Sequence, residues 1–132
     1  ITGFCMGGRV TFLMAGVNPA FKAAVPFYPG STMTSWGKGP TPFERMRDIK
    51  CPVLGLFGGD DGNPSPEDMN KIDAELTDHG VVHEFQSYPG AGHAYMDFTN
   101  PERYREHAEK ASWPIALAFF EKHLHNVTAA TD

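Results

Sequence analysis

The sequence predicts an α/β fold with a mostly parallel sheet and flanking helices. The apolar run at residues 52–57 begins with a Pro and ends before a Gly pair, which is typical of a strand buried on both faces of a parallel sheet. Residues 81–88 predict a second strand, and a well-capped helix lies between the two. Strands that alternate with helices along a chain favour a parallel sheet.

The motif Gly-Phe-Cys-Met-Gly at residues 3–7 predicts a nucleophile elbow with Cys5 in the nucleophile's place. Such a strand-to-helix turn strains its central residue and leaves no room for side chains two positions away, which accounts for Gly3 and Gly7. The helix N-terminus favours a thiolate at Cys5. The backbone amide of Met6 is a candidate oxyanion-hole donor.

The segments that follow the elbow predict a helix, a short strand and a long loop. The helix covers residues 6–15 and ends at Gly16, and the strand covers residues 23–28. The loop at residues 29–42 is rich in Gly, Pro and Ser and contains Trp36. Trp36 is interpreted either as a packed aromatic residue or as a substrate-binding one, because long loops on a rigid scaffold often carry binding residues.

The later helices are marked at their ends. Ser65 is predicted to cap one helix, with Pro66 at its first position and Gly80 at its end. A final helical region is predicted to open near residue 100 and to be interrupted at Pro114, because proline removes a helix hydrogen bond.

Two polar groups follow the later strands in the order that suits an elbow nucleophile. Asp60 and Asp61 come directly after the first of these strands, and His93 comes after the second. Taken singly, the aspartates fit ordinary turn residues and the histidine a surface loop. Together with Cys5 they predict a nucleophile, acid and histidine at three strand ends, which is a catalytic triad.

These motifs resemble those of the dienelactone hydrolases, the cysteine-dependent members of the α/β-hydrolase superfamily. The resemblance covers residues 1 to about 125, and its specific segments are residues 3–9, 58–61 and 90–93. It implies the C-terminal part of an α/β-hydrolase fold, with the leading strands absent.

The resemblance also implies the roles of individual residues. Cys5 is the nucleophile, His93 the base and Asp61, rather than Asp60, the acid, because the family's aspartate lies three residues after the first Gly of its loop. The implied activity is hydrolysis of a small ester or lactone through a thioester. Tyr95 and Phe98 are expected to line the substrate pocket.

Two departures from the family pattern are visible. The dienelactone hydrolases have an arginine that helps bind the substrate carboxylate four residues beyond the histidine, where this chain has Asp97. Relatives also carry a long segment before the elbow, whereas this chain begins at Ile1. Residues 1–132 are therefore expected to be a partial domain, whose open sheet edge is covered by self-association or by a partner chain.

Composition excludes several classes of function. A formal net charge of −5 and scattered basic residues argue against a nucleic-acid partner. No apolar run approaches the ~20 residues of a membrane span. Two cysteines favour a reducing, cytoplasmic setting over a disulfide framework. No cofactor is predicted, and no metal site, because His123 and His125 are two apart on a predicted helix and point to different faces.

Two other interpretations remain open from the sequence. The glutamine amidotransferase and DJ-1-like folds also place a Cys on a glycine-flanked elbow, but they call for a His-x-Glu pair or a Glu before the Cys. The second interpretation is an inactive remnant or interaction module of the same hydrolase fold.

Overall fold

Four parallel strands form one sheet in the computed structural model, which describes residues 1–125. The strands are β1 (Thr2–Phe4), β2 (Val25–Phe27), β3 (Val53–Gly58) and β4 (His83–Tyr88), and they lie side by side in chain order. The predicted α/β fold with a parallel sheet and flanking helices is therefore confirmed.

Helices cover both faces of this sheet. They are α1 (Met6–Val17), α2 (Pro42–Arg45), α3 (Pro66–Asp78) and α4 (Glu106–Phe120), with a 3₁₀ turn at Met46–Asp48 and a π-helical turn at Glu121–His125.

The sheet separates two hydrophobic cores. Side chains of α1 and α3 pack on one face with Val53, while side chains of α4 pack on the other face with Leu54. These neighbouring residues of β3 point to opposite faces because side chains alternate along a strand. Both are almost fully buried, which explains why β3 is apolar throughout.

The start of α3 is the one that the sequence predicts. The Ser65 hydroxyl accepts a hydrogen bond from the Asp68 backbone N–H at 3.1 Å, and the Asp68 carboxylate accepts one from the Ser65 N–H at 3.2 Å. Pro66 occupies the first turn. This capping box satisfies two amides that lack intrahelical partners.

Two helix boundaries differ from the prediction. Helix α1 continues through Gly16, where a Cβ atom would lie 2.5 Å from the Arg45 carbonyl oxygen, so this glycine allows α2 to approach closely and does not end the helix. Helix α4 begins at Glu106 and passes through Pro114 without a break. Pro114 and Lys110, whose carbonyl it leaves unbonded, are both exposed, so water can satisfy the freed group.

Strand register brings the carboxyl ends of the four strands to one edge. Phe4 pairs with Phe27, Phe27 with Leu56, and Gly58 with Tyr88. The residues that follow each strand therefore emerge side by side, which places the candidate catalytic loops together.

Candidate active site

Cys5 occupies a strained turn between β1 and α1. Its φ of 61° and ψ of −115° lie in a region that residues other than glycine rarely adopt. Its backbone N–H donates to the Phe27 carbonyl at 3.1 Å, and its carbonyl accepts from the N–H groups of Gly8 at 2.9 Å and Arg9 at 3.1 Å. These bonds hold the thiol at the carboxyl end of β1, where it is exposed.

The glycines of the elbow have unequal roles. A Cβ atom on Gly3 would lie 2.2 Å from the Gly7 carbonyl oxygen, so this position must be glycine. A Cβ atom on Gly7 would meet nothing within 4 Å, so the expectation that Gly7 avoids a collision is wrong. The second close approach is at Gly8, where a Cβ atom would lie 2.5 Å from the Phe27 carbonyl oxygen.

His93 lies between Cys5 and Asp61. The His93 Nε2 atom is 2.8 Å from the Cys5 Sγ atom, and its Nδ1 atom is 2.9 Å from the Asp61 Oδ2 atom. The Asp61 side chain is only 2% exposed. Asp60 is exposed and has no side-chain hydrogen bond to the histidine. The structure thus brings Cys5, His93 and Asp61 into hydrogen-bond succession across three loops.

The acid and histidine loops contact each other through their backbones. The Asp60 N–H donates to the Ala91 carbonyl at 2.9 Å. A Cβ atom on Gly58 would lie 2.5 Å from that same oxygen, so only glycine permits this approach. The histidine loop also turns at Gly90, whose φ is 79°.

The charge of the histidine follows from its two neighbours. The hydrogen bond to Asp61 is the main cause that raises the pKa of His93 to about 9, and the bond to Cys5 adds to it against partial burial. The ring therefore holds its proton at neutral pH, with one N–H directed at the carboxylate and the other at the sulfur.

Tyr28 is a member of the site that the sequence interpretation missed. Its ring meets the His93 ring edge-on with centroids 5.2 Å apart, and burial raises its hydroxyl pKa. Its φ of 34° is a second strained position beside Cys5. The sequence signal that could have identified Tyr28 is its place directly after β2, because the predicted triad residues also follow strands.

Met6 is the first residue of α1. Its N–H therefore has no intrahelical carbonyl to bond, since the first amides of a helix have none. This free N–H lies next to Cys5, and its role as an oxyanion donor stays a prediction.

A cavity of about 450 Å³ lies beside the triad on the α4 side of the sheet. Its wall is mainly aromatic and carries two carboxylates; the lining residues are Phe4, Tyr28, Met96, Asp97, Phe98, Glu109 and Trp113. Tyr28 joins the cavity to the triad because it also contacts the His93 ring.

The three predicted substrate-binding residues fall in three different places. Phe98 lines the cavity and is 77% exposed. Tyr95 is fully buried behind Tyr28, with ring centroids 5.2 Å apart, so the expectation that it contacts substrate is wrong. Trp36 lies outside the cavity, with its ring 3.9 Å from the Arg9 guanidinium carbon.

The described part of the chain, residues 1–125, contains no group of His, Cys, Asp and Glu side chains suited to a metal ion. In the same range, no helix has the length and apolar character of a membrane span.

A sequence model of the dienelactone hydrolase family matches residues 1–124. The chain belongs to the dienelactone hydrolase family. It is 38% identical over 125 residues to a Salmonella typhimurium protein named "Putative carboxymethylenebutenolidase", covering 93% of this chain and 46% of that protein. The chain thus spans about half the length of the curated relatives that it matches.

Solved structures of this family share the fold. The crystal structure titled "Putative Dienelactone Hydrolase" from Klebsiella pneumoniae has a TM-score of 0.84 and 35% identity, covering 91% of this chain and 50% of that one. A dienelactone hydrolase-like phosphotriesterase from metagenomic libraries has a TM-score of 0.78 at 23% identity, which indicates the fold alone. The described sheet is therefore part of a dienelactone hydrolase α/β-hydrolase fold.

Proposed function

We propose that this member of the dienelactone hydrolase family cleaves small ester or lactone substrates with Cys5 as nucleophile, His93 as acid and base, and Asp61 as the orienting acid. One observation carries the proposal: the sulfur, the two ring nitrogens and the carboxylate follow one another at 2.8 and 2.9 Å. Three strand ends supply these groups, and membership in a hydrolase family agrees with their chemistry.

The reaction begins with the proton of Cys5 on His93. The thiolate attacks the ester carbonyl carbon, and the amide of Met6 donates to the oxygen that becomes negative. The tetrahedral adduct collapses to a thioester, and the leaving alkoxide takes the proton from His93. Water then attacks the thioester, gives its proton to His93, and the collapse of this second adduct releases the acid and the Cys5 thiolate.

Esters and lactones suit this site better than amides. An alkoxide leaves a tetrahedral adduct more readily than an amine does, so a thiolate adduct of an amide tends to expel the sulfur instead. The aromatic wall of the cavity supports binding of an uncharged part of the substrate. Asp97 and Glu109 at the same wall disfavour a substrate carboxylate there.

Hydrolysis of p-nitrophenyl acetate tests the proposal. The unaltered chain is expected to release p-nitrophenol, while Cys5→Ala and His93→Ala lose the rate above background. Cys51→Ala is the matched control, because this second cysteine is buried in the core and precedes β3, at the opposite end of that strand from the Asp61 loop. Acid quenching followed by mass spectrometry is expected to show one acetyl group on the unaltered chain and none on Cys5→Ala. Equal rates for the unaltered chain and Cys5→Ala would refute catalysis by this cysteine.

An interaction role is the second candidate function, and the exposed edge of the sheet at β1 favours it. Strand β1 is an edge strand of the described sheet, and Phe4 and Trp113, which line the same cavity, are each more than 40% exposed. Such an edge offers backbone groups to a further strand from a second copy or a partner chain. Light scattering over a range of concentrations tests self-association, and a monomer at every concentration contradicts that form of it.

The compartment is proposed on the state of the cysteines. Cys5 and Cys51 are both free thiols, which agrees with a reducing cytoplasm. Labelling of both thiols in freshly lysed cells, without prior reduction, tests this, and a blocked Cys5 contradicts it.

A further inference from the structure

A continuous series of contacts runs from Arg9 on α1 to Asp61. The Arg9 guanidinium donates to the Ser31 carbonyl and lies over the Trp36 ring. Ser31 and Asn63 form two further hydrogen bonds, and the Asn63 backbone N–H donates to Asp61 Oδ1 at 2.8 Å. The loop after β2 and the loop after β3 are thereby tied together directly behind the triad.

The Ser31–Asn63 contact is specific in its geometry. The Asn63 side-chain oxygen accepts from the Ser31 N–H at 2.8 Å, and its amide nitrogen donates to the Ser31 hydroxyl at 3.0 Å. Ser31 adopts a φ of 54°, which presents both of its groups to the same side chain. A Cβ atom on Gly30 would lie 3.0 Å from the Asn63 carbonyl oxygen, so the two loops are in close contact.

Arg9 anchors this contact to the nucleophile's helix. It is 5% exposed, and burial lowers its pKa, yet no carboxylate forms an ion pair with it among residues 1–125. It lies one turn after Cys5, and its backbone N–H bonds the Cys5 carbonyl. A hydrogen bond from a charged donor is stronger than a neutral one, and the Arg9–Ser31 bond is part-buried whereas the Ser31–Asn63 bonds are exposed. The Arg9–Ser31 bond is therefore the stronger of these contacts.

We infer that Arg9, Ser31 and Asn63 are positioning residues that fix the orientation of the Asp61 carboxylate toward His93. With Oδ1 held by the Asn63 N–H, Oδ2 is the oxygen left to face the imidazole. This assigns the loop at residues 29–42 a part in the active site that does not require contact with substrate. The inference rests on the proposed function for its kinetic readout, but not for its spectroscopic one.

The test compares Asn63→Ala with Asn18→Ala. Asn18 is the matched control because its side chain also accepts a hydrogen bond from a backbone N–H two residues on, at 2.9 Å, in an exposed turn remote from the triad. We expect Asn63→Ala to lower kcat for p-nitrophenyl acetate about tenfold with little change in KM, since substrate contacts are untouched. By NMR, the His93 pKa is expected to fall by about one unit, because Asn63→Ala keeps the backbone N–H that bonds Asp61 but releases its loop from Ser31, so that this N–H no longer holds the carboxylate in one direction. Asn18→Ala is expected to change neither value.

A double-mutant cycle separates positioning from general destabilisation. Arg9→Lys keeps the charge but cannot both stack on Trp36 and reach the Ser31 carbonyl in the same way. If the three residues act as one chain, the effects of Arg9→Lys and Asn63→Ala on the His93 pKa are not additive. Ser31→Ala, which removes only the hydroxyl, gives a smaller fall and serves if the other variants fold poorly.

An Asn63→Ala chain that loses stability but keeps both kcat and the His93 pKa would overturn the inference. The same holds if the two single effects simply add. If the unaltered chain does not hydrolyse the ester, the proposed function fails, whereas the titrations still decide whether these residues position Asp61.

Discussion

Replacing Asp61 by Asn is expected to remove most of the elevation of the His93 pKa. The hydrogen bond to this carboxylate is the largest cause that raises the pKa to about 9, and its charge adds to the effect. Asn keeps the shape of the side chain but loses the charge. With partial burial still opposing the charged ring, the pKa is expected to return to about 6.5, the ordinary value for histidine.

The size of the change makes it easy to detect. At pH 8 a ring of pKa about 9 is about nine-tenths protonated, whereas a ring of pKa about 6.5 is about 3% protonated. The assay is NMR titration of the histidine ring signals, with the His93 signal assigned by its loss in His93→Gln. Cys5→Ala is expected to lower the pKa less than Asp61→Asn, because the bond to sulfur is the smaller cause.

A second histidine–aspartate pair supplies the control. His83 Nε2 lies 2.6 Å from Asp73 Oδ1, between α3 and the first residue of β4, at the opposite end of that strand from the His93 loop. Asp73→Asn should therefore leave the His93 titration unchanged. The reasoning is refuted if His93 titrates near 6.5 in the unaltered chain, or if Cys5→Ala lowers its pKa more than Asp61→Asn does.

The same shift predicts how stability depends on pH. The pKa of His93 is higher in the folded chain than in the unfolded one, so its contribution is fully present below about pH 6.5 and is lost as the pH rises through about 9. This contribution to the free energy of unfolding is at most about 3 kcal/mol. Urea denaturation at several pH values should show the free energy of unfolding decline between about pH 6.5 and 9 in the unaltered chain, and this decline should be absent in Asp61→Asn.

Three further outcomes are expected. Gly3→Ala should abolish or severely weaken folding, because its Cβ atom would lie 2.2 Å from the Gly7 carbonyl oxygen. Gly7→Ala should leave the melting temperature nearly unchanged, because its Cβ atom meets nothing within 4 Å. Thermal denaturation measures both, and equal melting temperatures for the two variants contradict this. Leu76→Ala, at a fully buried site, should cost about 2–5 kcal/mol in urea denaturation, and Lys71→Ala, exposed on the same helix, little. An aryl hemisuccinate should be hydrolysed more slowly than the matching aryl butyrate, and Asp97→Asn should narrow the difference; a faster hemisuccinate argues against an acidic cavity wall.

Several features of the fold followed from local rules that can be applied to the sequence. The apolar pattern of β3, the cap at Ser65 and the order of strands and helices follow from periodicity and end signals, and each is present in the structure. The meeting of Cys5, Asp61 and His93 was also predictable, because parallel strands bring their carboxyl ends to one edge whatever lies between them in the chain.

What the sequence did not predict depends on contacts between distant segments. A glycine such as Gly16 is typical of a helix end, but here it lies inside α1 and allows the backbone of α2 to approach closely. Trp36 lies in the loop after β2 and Tyr95 lies two residues after His93, and only packing decides that Trp36 covers Arg9 while Tyr95 is buried in the core. Proline in α4 is tolerated because that turn of the helix faces solvent, which periodicity alone did not reveal.

The orientation of Cys5 depends on backbone hydrogen bonds that join its strained turn to α1 and to the end of β2. A non-glycine residue at a φ of 61° stores about 1–3 kcal/mol of strain, while each backbone hydrogen bond contributes about 0.5–1.5 kcal/mol, so the three bonds of Cys5 are together of the same size as the strain. One of these bonds goes to Phe27 at the end of β2, which makes the thiol sensitive to the β1–β2 register. Asp61 and His93 instead follow β3 and β4, whose longer pairing runs from Val53 to Gly58. Weakening the β1–β2 pairing should therefore displace the sulfur while the imidazole–carboxylate pair stays in place.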